Sequence, residues 1–80
     1  MKAIVQDVNI RGCEAKTNAK GEGYLIVRFE DITGKPEEVI DKNMTRQNYY
    51  KRDTVGDLII DIQIGKWTNI RVVDFKIKGE

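Results

Sequence analysis

Aromatic side chains beside cations are the residues of this chain best suited to chemistry. Tyr24 follows a loop that carries Lys16 and Lys20, Tyr49 and Tyr50 precede Lys51 and Arg52 with Arg46 just upstream, and Trp67 stands next to Lys66. A flat ring offers a face on which an unpaired base can stack, and a neighbouring lysine or arginine meets phosphate. Three such pairs can therefore hold a single strand without reading its sequence. Each stacked base contributes on the order of 1–3 kcal/mol, and each phosphate contact adds a salt-sensitive increment. The same residue types also form hot spots between proteins. Tyrosines, moreover, pack across strands or close a barrel end, so one of Tyr49 and Tyr50 is expected in the core and the other outside.

Catalysis finds little support. The chain has no histidine and one cysteine, Cys13, and nothing in it resembles a phosphate-cradling glycine loop or a nucleophile elbow. A lone cysteine excludes an intrachain disulfide, and a zinc site would have to be built almost entirely from carboxylates. The remaining option is a divalent-ion cluster of Asp57 and Asp61 on one strand face with Asp74 on a neighbouring strand. Solvated carboxylates that discourage strand edges from pairing explain the same residues. The expectation is a protein that is not an enzyme and takes no metal or other cofactor.

Eighty residues, 40% hydrophobic and 34% charged, make one globular domain over residues 1–80. A chain of this length buries only roughly 60–65% of the surface it exposes when unfolded, so a second subunit would add burial that one thin core lacks. Homodimerisation is the expectation, with residues 57–72 as the interface. The net charge is +1, which is small for a nucleic-acid binder, but bases gather at Arg11, Lys16 and Lys20, at Arg46, Lys51 and Arg52, and at Lys66 and Arg71. Distribution matters more than the total. No charged-then-apolar leader opens the chain and no apolar run approaches the length of a membrane span, so a soluble, cytoplasmic protein is expected.

The elements that must position these residues are short strands. In residues 24–31, Leu25, Val27 and Phe29 form an inward set, while Tyr24, Ile26, Arg28 and Glu30 face out. Residues 57–64 repeat the alternation, with Leu58, Ile60, Ile62 and Ile64 inward. Residues 70–77 change parity near Val72 and Val73, which predicts a bulge, and residues 2–13 carry apolar residues on both parities, which predicts a bend. Residues 37–42 read as a brief strand. Residues 17–23 form a polar loop, 33–36 a tight turn, and Gly65 with Lys66 the hairpin that carries Trp67. Residues 43–56 lack periodicity and hold one short helical turn. Five strands are compatible with an OB-fold, an SH3-like barrel or an Sm-like ring subunit, and the irregular third connection suits the OB arrangement, so the expectation is an all-β, five-stranded antiparallel barrel of OB-fold type with a projecting hairpin.

At these residues the chain resembles the gene V single-stranded DNA-binding proteins of filamentous phages and the short OB-fold proteins of phages and mobile elements. KGEGY, residues 20–24, is similar to the end of that family's basic wing, and GKW with FKI, residues 65–67 and 75–77, is similar to its hairpin. The resemblance implies a twofold dimer that coats single-stranded DNA, with Tyr24, Tyr50 and Trp67 stacking on bases and Ile26 as an apolar contact. Lys16, Lys20, Arg28, Lys66 and Arg71 are the expected phosphate ligands. The sequence departs from the family in offering Ala19 and Lys20 where arginines stand in the wing, Glu22 near a basic place, Ile32 for an aromatic and Asp74 for a base. RNA or a duplex is a further candidate ligand. A protein-interaction barrel, accessory to a replication or conjugation complex, is the competing expectation.

Overall fold

The structure, a computed structural model, describes residues 1–79. Five strands, β1 (Lys2–Thr17), β2 (Gly23–Glu30), β3 (Pro36–Asp41), β4 (Val55–Gln63) and β5 (Asn69–Ile77), close into one barrel in the order β1-β2-β3-β5-β4. A 3-10 helix, Met44–Tyr49, lies between β3 and β4. The fold is thus the all-β, OB-fold-like barrel expected, with one refinement. A closed ring of five strands cannot alternate direction at every seam, so one seam must be parallel. That seam is β3–β5, joined in register only at Ile40 and Arg71, and the other four are antiparallel.

The mixed parity of the first strand is explained by two register shifts. Between Val5 and Val8 an extra residue enters β1 opposite β4, with Asp7 in the left-handed region at φ 56°. A second extra residue, between Ile10 and Gly12, enters opposite β2. Each bulge inverts the side-chain alternation. Val5, Val8, Ile10 and Cys13 therefore all reach or flank the core, while Ile4 faces out. β1 is consequently longer than its apolar pattern suggests, and curved enough to pair with β4 along its first half and β2 along its second.

The predicted bulge near Val72 and Val73 is present. Ile59 pairs with Asp74 and Ile60 with Val72, so Val73 is the unpaired residue and both Val72 and Phe75 turn inward. Strand β4 keeps Leu58 and Ile60 in the core as expected, but Ile64 lies beyond its end and is exposed. Gly56 sits where the core is tightest. A Cβ there would come within 2.5 Å of the Lys76 carbonyl oxygen and 2.7 Å of the Phe75 ring.

The 3-10 helix closes one end of the barrel through a buried polar node. Asp41, fully buried at the end of β3, accepts two bonds from Arg46, 2.6 Å from Nε and 3.0 Å from Nη2. It also accepts the Tyr50 hydroxyl at 2.6 Å and the Asn43 amide at 2.9 Å. A buried charge is tolerated when it is paired in this way. Tyr50 then stacks on Phe75, with ring centroids 5.2 Å apart. Among the described residues no helix is long and apolar enough to cross a membrane.

Candidate nucleic-acid interface

Strands β2 and β3 present their outward residues side by side because their register pairs Ile26 with Ile40 and Arg28 with Glu38. The second β1 bulge sets the parity that places Glu14 beside Ile26 and Lys16 beside Tyr24. Across the parallel seam Ile40 meets Arg71, which in turn faces Asp61 of β4. One row across the barrel thus reads Glu14, Ile26, Ile40, Arg71 and Asp61, and Tyr24 with Lys16 forms the row above. Lys42, one residue past β3, lies near Tyr24.

Two clefts cut this face and meet at Lys42. The first, about 380 Å³, runs between the β1–β2 loop and the end of β3, lined by Gly23, Tyr24, Ile40 and Lys42 with Asn18 and Glu22 on its rim. The second, about 510 Å³, continues over β5 and the start of the 3-10 helix, lined by Lys42, Asn43, Met44, Arg46, Arg71 and Val73 among others. Together they make a groove with a tyrosine and apolar floor at one end and three cationic side chains along it. Oligonucleotides bind OB-folds on this strand face, between the loops that flank it.

The β1–β2 loop is built to hold its shape. The side-chain oxygen of Asn18 accepts the amides of Lys20 and Glu22, at 2.9 and 3.0 Å, and Gly21 takes φ +83°, a left-handed conformation that glycine adopts without strain. Lys20 is thereby presented at the loop tip. Among the described residues Lys20, Lys42 and Lys66 form no ion pair. Their charges are available to an anion.

The other expected cations are less free. Arg28 lies between Glu14 and Glu38, 3.2 Å from each, so its charge is compensated locally. Lys16 is 3.9 Å from Glu14 and Arg71 is 3.5 Å from Asp61. Both cations and Glu14 are about half exposed, while Asp61 is more sheltered, and ion pairs open to water are worth only about 0–1 kcal/mol, so a phosphate can compete for Lys16 most easily and for Arg71 next. Arg28 would have to leave two carboxylates at once.

The aromatic residues divide three ways. Tyr24 is half-buried and lines the groove, with Ile26 half-buried beside it. Tyr50 is a correction. It is 3% exposed, and its ring and hydroxyl are both committed, to Phe75 and Asp41, so it cannot stack on a base. Burial, and then the Asp41 carboxylate, push its hydroxyl far above the ordinary tyrosine range and keep it protonated. Tyr49 is the exposed member of the pair. Trp67, 76% exposed, projects from the β4–β5 hairpin and lines neither cleft of the groove.

Three groove residues escaped the sequence reading. Ile40, Lys42 and Met44 belong to a stretch in which a six-residue strand ends, where alternation is too short to separate faces. Lys42 lies opposite no aromatic in sequence, so the search for aromatic and basic neighbours passed over it. The carboxylate cluster is not assembled. Asp57 faces the Asp7 amide and Lys78, Asp61 the N-terminus and Arg71, and Asp74 the amide of Phe75. Among the described residues no three potential ligands converge. Cys13 flanks the core, and burial followed by the nearby Asp41 charge raises its thiol pKa, which lowers its reactivity.

Comparison with models of protein families, with curated protein sequences and with solved structures returns no match to this chain.

Proposed function

We propose that this protein binds single-stranded DNA without sequence preference, as a homodimer and without catalysing a reaction. The observation that carries the reading is the groove across β2, β3 and β5, in which Tyr24 and Ile40 line the floor and Ile26 pairs with Ile40 beside it. Lys42 is shared by its two clefts, Arg71 lines one of them, Lys16 pairs with Tyr24 across the β1–β2 seam, and Lys20, without an ion pair among the described residues, stands on the β1–β2 loop. Bases lie on the tyrosine and the aliphatic side chains, the lysines meet phosphate, and nothing in such a contact set discriminates one base from another. The gene V resemblance adds Lys66 and Trp67, on the exposed β4–β5 hairpin, as a further stacking site. A role in phage or mobile-element DNA replication or transfer, in the cytoplasm, follows from the same resemblance. RNA, whose single strands offer the same rings and phosphates, is a second ligand for this groove.

Fluorescence anisotropy with labelled oligothymidine tests the reading. Binding should weaken steeply with salt, with a slope of log K against log salt of roughly −3 for four or five phosphate contacts on a single strand. Absence of binding at low salt would remove it.

One observation favours the competing function, a protein-interaction barrel that serves a replication or conjugation complex. Ile4, Ile32, Ile64 and Trp67, each 61–76% exposed, are large apolar side chains left in water, and such residues mark interaction surfaces when they cluster. Insensitivity of partner binding to salt would separate that case from phosphate recognition.

A further inference from the structure

The end of the barrel away from the 3-10 helix is built from the start of β1, the β2–β3 turn and the β4–β5 hairpin. Six apolar side chains there, Met1, Ile4, Ile32, Ile64, Trp67 and Ile70, are between 46% and 76% exposed. The same end contains a hole. Because β3 and β5 pair only at Ile40 and Arg71, the strands part ahead of that point and leave a cleft of about 230 Å³. Its floor is apolar, formed by Val5, Phe29, Val39, Ile60 and Ile70, and its rim carries the carboxylates of Asp31, Glu37 and Glu38, of which Glu37 and Glu38 also form exposed pairs with Lys35 and Arg28, so that the rim as a whole stays acidic. Ligand pockets for small molecules start at about 300 Å³, so the cleft suits one large side chain rather than a ligand.

The surface offers one side chain of matching kind. Trp67 is the most exposed large apolar residue of the barrel and sits beside Lys66, a cation without an acidic partner among the described residues. An indole with an adjacent ammonium complements an apolar hole with a carboxylate rim in both polarity and charge. Knob and hole also lie close on each copy, since Ile70 of the floor is three residues from Trp67. A twofold axis beside the hairpin therefore lets two copies exchange knobs at the same time, which closes the assembly instead of propagating it.

We propose that Trp67 of each copy seats in the β3–β5 cleft of a second copy, with Lys66 facing the Asp31, Glu37 and Glu38 rim. The proposal rests on the homodimer in the function proposed above, and it moves Trp67 from the nucleotide track to the subunit interface. The groove keeps Tyr24 as its stacking ring. The exposed isoleucines around the hairpin are covered in the same event.

Sedimentation equilibrium with Trp67 emission across a dilution series tests the assignment, because this tryptophan is the only one in the chain. The expected result is a concentration-dependent dimer whose emission moves to longer wavelength as it dissociates. Trp67→Ala removes two hot-spot side chains per dimer, each worth roughly 30-fold, so self-association should fall about 1,000-fold. The double variant Glu37→Lys with Glu38→Lys, which leaves the hairpin intact, should also dissociate the dimer, and adding Lys66→Glu to it should restore part of the affinity. A wild-type monomer with long-wavelength emission at every concentration, or a Trp67→Ala dimer as tight as wild type, overturns the proposal. Oligothymidine titrations of Tyr24→Ala, run in parallel, report on the groove alone. Loss of the groove reading would leave the dilution behaviour of Trp67 unchanged, and loss of the interface would leave Tyr24-dependent binding in the monomer.

Discussion

The two ends of this barrel solve the same closure problem in opposite ways. At one end the 3-10 helix lays Tyr50 on Phe75 and ties its hydroxyl, Arg46 and the Asn43 amide to the buried Asp41 carboxylate, so both carboxylate oxygens have partners. At the other end β3 and β5 part, no element covers the gap, and Trp67 with several isoleucines stays in solvent. A satisfied, buried network stabilises the end that it closes. The open end leaves large apolar side chains in water. The comparison also separates two rings that look alike in sequence, each an aromatic followed or preceded by a base.

The comparison breaks most visibly at Asp41. Asp41→Ala leaves the Arg46 guanidinium and the Tyr50 hydroxyl without their shared acceptor, and removal of one member of a buried pair costs about 3–5 kcal/mol. Urea denaturation should show that loss. Tyr50→Phe keeps the ring stack but removes one bond to a charged acceptor, for a smaller loss of about 1.5–3 kcal/mol. A stability effect of either change below about 0.5 kcal/mol would mean that the closed end is not built as described.

Gly56→Ala probes the core between the ends. Its added methyl group would collide with the Lys76 carbonyl and the Phe75 ring, and overpacking of this kind costs about 1–3 kcal/mol. Because Phe75 carries the Tyr50 stack, the denaturation midpoint should fall while oligothymidine binding by the folded fraction is unchanged.

Tyr24→Ala sharpens the contrast from the other side. It should reduce oligothymidine affinity by about 1–3 kcal/mol, the contribution of one stacked base, with a much smaller change in the urea midpoint. Lys42→Gln should weaken binding by less and reduce the salt slope by about 0.7. Equal stability and affinity losses for Tyr24→Ala would place that ring in the core rather than on a track.

The smallest effect concerns the open end in acid. The Met1 ammonium, 3.1 Å away, and to a lesser degree Arg71, hold the Asp61 carboxyl below the ordinary aspartate range. A pKa depressed in the folded state contributes stability that is present above the unfolded value, about 4, and is lost as pH falls through the folded value. N-terminal acetylation removes the ammonium, so the drop in thermal midpoint between pH 5 and pH 3 should shrink relative to the unmodified chain.

Much of this architecture was legible from side-chain alternation. The inward set Leu25, Val27 and Phe29, the inward Leu58 and Ile60 and the bulge at Val73 all follow from local patterns, because a half-buried strand imposes period two on its own sequence. The groove was half legible. Tyr24, Ile26 and Lys16 share one strand face or its neighbour, and parity finds such residues.

What the tertiary structure alone decided is which distant residues meet. That Asp41 would be fully buried, and would draw Arg46 and Tyr50 inward while Tyr49 stayed out, depends on where the chain turns after β3, and an aromatic beside a base reads the same in core and solvent. The parallel seam, and with it the cleft beneath Ile70 and the place of Lys42 in the groove, depends on ring closure, to which no single strand's pattern refers. Sequence sets the faces of each strand through the geometry of its own backbone. Only packing sets which faces are left without a neighbour.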